Sequence, residues 1–162
     1  MTLDRAAQLL NVVPAWLDAL IRFESGWNPL ARNPISGARG LIQVTNTTAR
    51  SFFRVDSADA LVEQFPDRES QLENVVVPYL QRYAPFPTRQ SLYMSVFYPA
   101  YRAAPPDTVF SDSIQKQNPN IKTVQDYINL VNRRLDPVKV GFAGLAIVGL
   151  LLLWYYSGRG GL

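Results

Sequence analysis

"FESGWNPLARNPISGARGLIQV", residues 23–44, holds one carboxylate, two Asn-Pro pairs, three glycines and a glutamine in twenty-two residues. The segment before it is apolar with a helical period. Pro14 suits the first turn of a helix, and Leu17, Leu20, Ile21 and Glu24 fall at i, i+3, i+4 and i+7. Glu24 therefore closes an apolar stripe. A glutamate there is either an exposed helix end, which is the commoner case, or a carboxyl held against apolar surface. The second environment raises its pKa, because desolvation disfavours the charged form. A carboxyl still protonated near neutral pH is what glycosidic bond cleavage asks of its general acid.

The chain has 162 residues, enough for one domain with a real core. It contains no cysteine, which excludes a disulfide framework and thiolate chemistry. It contains no histidine, which excludes a Ser-His-Asp or Cys-His site and a His-ligated metal. Acid–base work falls to Glu, Asp, Lys or Tyr. The net charge of +3 is mild and scattered, and it is no nucleic-acid footprint. No metal or organic cofactor is implied, since ligand clusters are absent from the sequence.

Working outward, residues 1–135 read as a mainly α domain. "TLDRAAQLL" offers a cap and a short amphipathic helix, and "PAWLDALIRFES" a second. "TTARSFF" and "ADALVEQF" are short helix candidates, and "ESQLENVVVPYLQRY" is a helix that Pro78 should kink or restart. "TRQSLYMSVFYPAY" is apolar and ends near Pro99, while "AAPPDTVFSDSIQKQNPN" reads as a loop. "TVQDYINLVNRRL" opens on Thr123 with Asp126 three residues on, an approximate capping box. No alternating strand run stands out.

The two ends differ. "MTLDRAAQLLNVVPAW" lacks a basic region followed by an apolar one and does not read as a signal peptide. "VGFAGLAIVGLLLLWYY", residues 140–156, is 17 residues without a charge. As a helix it would cover about 26 Å, just under the hydrocarbon core of a bilayer. Trp154, Tyr155 and Tyr156 sit together at one end, as an interfacial belt would. Its length and uniform apolarity favour a single membrane span over a buried core helix. The expected organisation is a domain at 1–135, a short linker at 136–139, a transmembrane helix at 140–156 and a tail at 157–162.

Several stretches resemble the soluble lytic transglycosylase family. "ESGWNPLA" is similar to its opening Glu-Ser-x-x-Asn-Pro-x-Ala motif, and "GARGLIQV" to its Gly-Ala-x-Gly-Leu-Met-Gln motif. "TTA" at 47–49, "ENVVVPYLQRY" through Asn74, Tyr79 and Leu80, "SVFYPAY" through Tyr98 and Ala100, and "KTVQDYINLV" through Thr123 and Tyr127 resemble the later motifs in order and spacing. The first two motifs together are specific, and the later ones alone are weak.

The resemblance implies a lysozyme-like, mostly helical fold and a peptidoglycan glycan strand as substrate. It implies cleavage of the MurNAc–GlcNAc β-1,4 bond with a 1,6-anhydromuramic product. Glu24 takes the place of the family's single catalytic carboxyl. Among substrate-binding positions, Gln43 would hold the sugar or its N-acetyl group, and Tyr98 would direct its hydroxyl toward Glu24 or the sugar. Ser25 is either a hydrogen-bonding neighbour of Glu24 or a plain helix-end serine. Gly37 and Gly40 let backbone approach a sugar, form a tight turn, or both. Trp27 packs either a sugar face or the core. The sequence also departs from the pattern. Asn33 precedes Pro34 where the family commonly has Ser, the loop "NPISGA" runs one residue longer, and Pro99 and Tyr101 replace the Asn and Gly of Tyr-Asn-Ala-Gly.

Arg133, Arg134 and Lys139 precede the apolar run and Arg159 follows it. By the positive-inside tendency the domain would stay cytoplasmic, on the far side of the membrane from peptidoglycan. One resolution is a phage protein, carried in the virion on a membrane, meeting the wall at genome entry beside other virion proteins. Three alternatives stay open: a lysozyme-type hydrolase on the same fold, a degenerate wall-binding or structural virion protein, and a membrane-disrupting peptide on an unrelated domain. No nucleic-acid partner is expected.

Overall fold

Thr2 opens the first helix by accepting the Arg5 amide on its hydroxyl, and α1 runs Leu3–Leu10 until Asn11 turns left-handed. The computed structural model describes residues 1–135, and the expected linker, span and tail at 136–162 lie outside the described residues. Among the described residues no helix is long and apolar enough to cross a membrane.

α2 is Pro14–Ser25, with Pro14 at its start as the sequence implies and a left-handed Gly26 at its end. Its stripe Leu17, Leu20 and Ile21 is fully buried. α3 (Asn46–Thr48) leads into a π turn, Ala49–Phe53. α4 is Ala58–Gln64 and α5 is Arg68–Gln71. A second π turn, Leu72–Val76, joins α5 to α6, Val77–Gln81. The place of that turn follows from Pro78. A proline ring collides with the carbonyl four residues back and donates no hydrogen bond. Widening the turn just before it relieves both problems, so the expected kink takes the form of a π turn.

α7, Arg89–Phe97, is opened by a capping box between Thr88 and Ser91, and a 3₁₀ turn follows at Pro99–Tyr101. The segment read as a loop after it contains α8, Asp112–Gln117, and a β-bridge between Val109 and Thr123. The correction has a packing cause: Phe110 and Ile114 are buried there, and two apolar anchors order an otherwise polar segment. α9, Val124–Asn132, carries the Thr123–Asp126 capping box; of the apolar stripe expected at Val124, Ile128, Val131 and Leu135, the first three are buried and Leu135, past the helix end, is half-buried. The described residues form no extended strand, only isolated bridges.

Between α2 and α3 the chain folds on itself through two Asn-Pro corners. Asn28 Oδ1 accepts the Leu30 amide at 2.9 Å, and Asn33 Oδ1 accepts the Ile35 and Ser36 amides at 3.0 Å each. Such side-chain-to-backbone bonds are why Asn marks turns. Arg39 and Val44 then exchange both backbone hydrogen bonds, and Arg39 also bridges back to Arg32.

The loop is clipped to the domain by Gln71, 1% exposed. Its Oε1 accepts the Leu41 amide at 2.9 Å, and its Nε2 donates to the carbonyls of Pro29 at 2.7 Å and Phe65 at 2.9 Å. Gly40 has φ +77°, and a Cβ there would stand 2.6 Å from Gln71 Oε1. Because three hydrogen bonds pin that amide, it cannot swing aside. Gly40→Ala is expected to destabilise the fold by roughly 2–4 kcal/mol, from left-handed strain and the collision together. Thermal denaturation measures it, and an unchanged midpoint would contradict this packing.

Candidate active site

The last turn of α2 carries Glu24 on the side where the stripe is buried, so the carboxyl faces the junction of α2 with α7 and α9. Tyr127 of α9, 1% exposed, donates its hydroxyl to Glu24 Oε1 at 3.1 Å. The Tyr127 ring stacks on Phe97 of α7, with centroids 4.2 Å apart and planes 9° from parallel. Phe23 meets its edge at 5.6 Å and 90°. Each partner thus comes from a different helix, and the aromatic sandwich fixes where the hydroxyl points.

Glu24 keeps part of its surface. The protein crowding its carboxyl strips away enough water to raise its pKa to about 7, and the Tyr127 hydrogen bond pulls the other way, more weakly. Of the two environments open to a glutamate on this stripe, the structure selects the apolar one. The same burial, with Glu24's negative charge beside it, holds Tyr127 well above the ordinary phenol range. Tyr127 therefore remains a donor throughout the pH range in which Glu24 titrates. Tyr79 of α6 is raised too, by burial first, then by Tyr83 and Glu24. Its hydroxyl donates to the Ser95 carbonyl at 3.3 Å. Tyr93, fully buried, is pushed up to about 12 by burial and lies close enough to Tyr127 to raise it further.

Tyr127→Phe keeps the stack on Phe97 and deletes the bond to Glu24. The expected result is a Glu24 pKa moved upward, so the alkaline limb of the pH–activity profile shifts to higher pH. A profile that stays in place would mean that the bond does not tune the group that limits activity.

The other residues singled out from the sequence are placed as follows. Ser25 donates its hydroxyl to the Ile21 carbonyl at 3.1 Å, a bond back into its own helix. Asn33, 3% exposed, is the corner described above. Gly40 faces Gln71, and Gly37 is left-handed with open space where a Cβ would stand. Gln43 is half-buried with φ +50°, and its Nε2 donates to the Gly40 carbonyl at 3.0 Å. Gly40 and Gln43 are thereby one unit, with the clip at Gln71 holding both. Tyr98 closes α7, its ring 4.8 Å from Phe97 and 6.4 Å from both Tyr101 and Phe110. Trp27 is half-buried against the core, and its Nε1 donates to Asp18 Oδ1 at 2.8 Å.

A desolvated carboxyl held by a neutral hydroxyl at a helix end has the protonation behaviour that a general acid requires. The loop that follows it lies in the N-terminal part of the chain that one family model covers. Residues 1–67 match the family model of the Transglycosylase SLT domain. That family comprises lytic transglycosylases acting on peptidoglycan, and the SLT match takes in Glu24, Asn33, Gly40 and Gln43. It ends before Tyr79, Tyr98 and Tyr127. No curated protein matches the chain.

Sequence reasoning placed Tyr127 on the closing helix but gave it no role at the carboxyl. A signal was present: Tyr127 lies one residue before Ile128 on the buried face of α9. A buried tyrosine needs a partner for its hydroxyl. Gln71 gave no signal at all, since a glutamine in a polar helix reads as solvated.

Proposed function

We propose that the chain is a peptidoglycan lytic transglycosylase in which Glu24 is both acid and base. The protonated carboxyl gives its proton to the glycosidic oxygen between MurNAc and GlcNAc as the C1–O bond breaks. The substrate's N-acetyl group supports the positive charge at C1, in place of the second carboxylate of ordinary glycosidases. The resulting Glu24 carboxylate then takes the proton of the C6 hydroxyl as O6 attacks C1. The sugar closes as a 1,6-anhydro ring, and Glu24 is returned to its starting state without water. The observation that carries this reading is the carboxyl at about 7, protonated or ionised at nearly equal free energy and so able to serve both steps.

Ser25, Asn33, Gly40, Gln43 and Tyr98 are proposed to shape the substrate side of the cleft, Gln43 through its amide and Tyr98 through its hydroxyl. The finer setting is a membrane-anchored virion protein that opens the cell wall for phage genome entry. Its support is the uncharged run at 140–156 with Arg133, Arg134 and Lys139 ahead of it. Finding the protein in uninfected bacterial envelopes, with residues 1–135 in the periplasm, would end that setting.

Digestion of purified peptidoglycan, with products read by mass spectrometry, tests the chemistry. Anhydromuropeptides support the transglycosylase, and reducing ends would mean a hydrolase instead. Intact sacculi would turn the fold to wall binding.

A further inference from the structure

Two π turns stand in the described chain, and both feed one cluster of half-buried aromatic rings. The turn Ala49–Phe53 carries Phe52, and the turn Leu72–Val76 opens directly into the helix that carries Tyr79. An extra residue in a helical turn rotates everything after it, and such turns gather at functional sites. Here the rings meet edge to face: Phe52 and Tyr79 at 5.7 Å and 78°, Tyr79 and Tyr83 at 5.4 Å and 66°. All three keep part of their surface, so they form a shelf rather than a sealed core.

Two arginines border the shelf and differ in what they do. Arg102 is committed to the protein: its guanidinium lies 5.2 Å from the Tyr83 ring centre, its Nη1 donates to the Tyr83 carbonyl and its Nε to that of Pro99 at 3.3 Å. It holds the outer ring in place. Arg82 is exposed and lies 5.6 Å from the Phe52 ring centre, with no carboxylate paired to it among the described residues. The shelf joins the Glu24 site through α7: the Tyr79 hydroxyl donates to the Ser95 carbonyl at 3.3 Å, and Phe97 two residues on stacks against Tyr127, which holds Glu24.

We propose that Phe52, Tyr79 and Tyr83 form a sugar-stacking shelf that extends the cleft from Glu24, and that Arg82 binds a carboxylate carried by the muramoyl residue lying on it. Aromatic faces take the apolar face of a pyranose, and a guanidinium takes a carboxylate through paired hydrogen bonds. The arrangement discriminates a glycan with acidic substituents from a neutral one. It rests on the peptidoglycan reading of the Glu24 site. Two groups on the substrate share this chemistry: the lactyl carboxyl, ionised only when no peptide is attached, and the carboxylates of the peptide stem.

The test is binding to full-length Glu24→Gln, which leaves substrate uncut. Three glycans of equal length are compared by calorimetry: stem-bearing muro-oligosaccharide, the same strand with stems removed, and chito-oligosaccharide. One charge-assisted contact predicts that an acidic glycan binds about tenfold tighter than the neutral one. Adding Arg82→Gln, at an exposed position, should erase that preference and leave chito-oligosaccharide affinity unchanged. Adding Phe52→Ala should weaken all three. A preference kept after stem removal assigns the lactyl carboxylate, and one lost assigns the stem. Equal affinity for all three glycans, binding of none, or an Arg82→Gln effect spread evenly over them, overturns the shelf. Wild-type protein that leaves sacculi uncut while the variant still prefers acidic glycans would remove the cleavage reading and leave the shelf standing. Cleavage without preference would do the reverse.

Discussion

Glu24→Gln is expected to lower peptidoglycan cleavage by at least about a thousandfold, the scale of a lost general acid–base group, and at the same time to stabilise the fold above neutral pH. The two effects share one cause. In the folded protein the carboxyl titrates at about 7 instead of its ordinary 4.5, because burial disfavours the ion. Between those values the folded state holds a proton that the unfolded state has released. Stability therefore falls as pH rises through 4.5 to 7, by an amount on the order of 3 kcal/mol as an upper bound. At pH 8 the wild type bears that full penalty and the neutral glutamine bears none. The glutamine's amide oxygen can still accept the Tyr127 hydroxyl. At pH 4 both side chains are neutral and the difference should vanish. Thermal denaturation of both proteins at pH 4 and pH 8 reads this directly. A variant no more stable than wild type at pH 8 would mean that Glu24 is solvated, and the general-acid argument would lose its basis. In wild type, kcat/KM should fall about tenfold per pH unit above 7, as the protonated form is depleted.

Gln71→Ala carries the largest expected loss of stability. Its buried amide satisfies the Leu41 N–H and the carbonyls of Pro29 and Phe65. Removing it leaves three backbone groups without partners, which predicts a loss of roughly 3–5 kcal/mol. The effect should reach the site, because the loop so anchored carries Gly40 and Gln43. Activity should fall even at temperatures where the variant remains folded. The pair Gly40→Ala and Gln71→Ala should not add. Once the amide is gone a Cβ at residue 40 meets no obstacle, and only the backbone strain remains. Additive losses in the double variant would show that the two residues do not press on one another.

These residues also mark how much was legible in advance. Helix α2 could be read to the residue, because Pro14 starts it, its apolar stripe has a clear period and Gly26 stops it. The capping box at Thr123 and the two Asn-Pro corners are equally local, since each is completed within four residues. The loop at 103–120 was read as irregular, because its order comes from Phe110 and Ile114 burying against distant helices. The π turn before Pro78 was legible as a break but not as a widened turn.

The sequence by itself determined a helical domain, the order of its helices apart from α8, and the carboxyl at the end of the apolar stripe that is proposed as the acid. Those follow from period, capping and motif, all of which operate over a few residues. Only the tertiary structure decided that Glu24 is desolvated, that Tyr127 is its partner, 103 residues away in the chain, and that Gln71 holds the loop. Each depends on what the fold packs around a polar atom. Packing between helices α2, α7 and α9 fixes the water content and the hydrogen bonds of the site, and no short stretch of sequence carries that information.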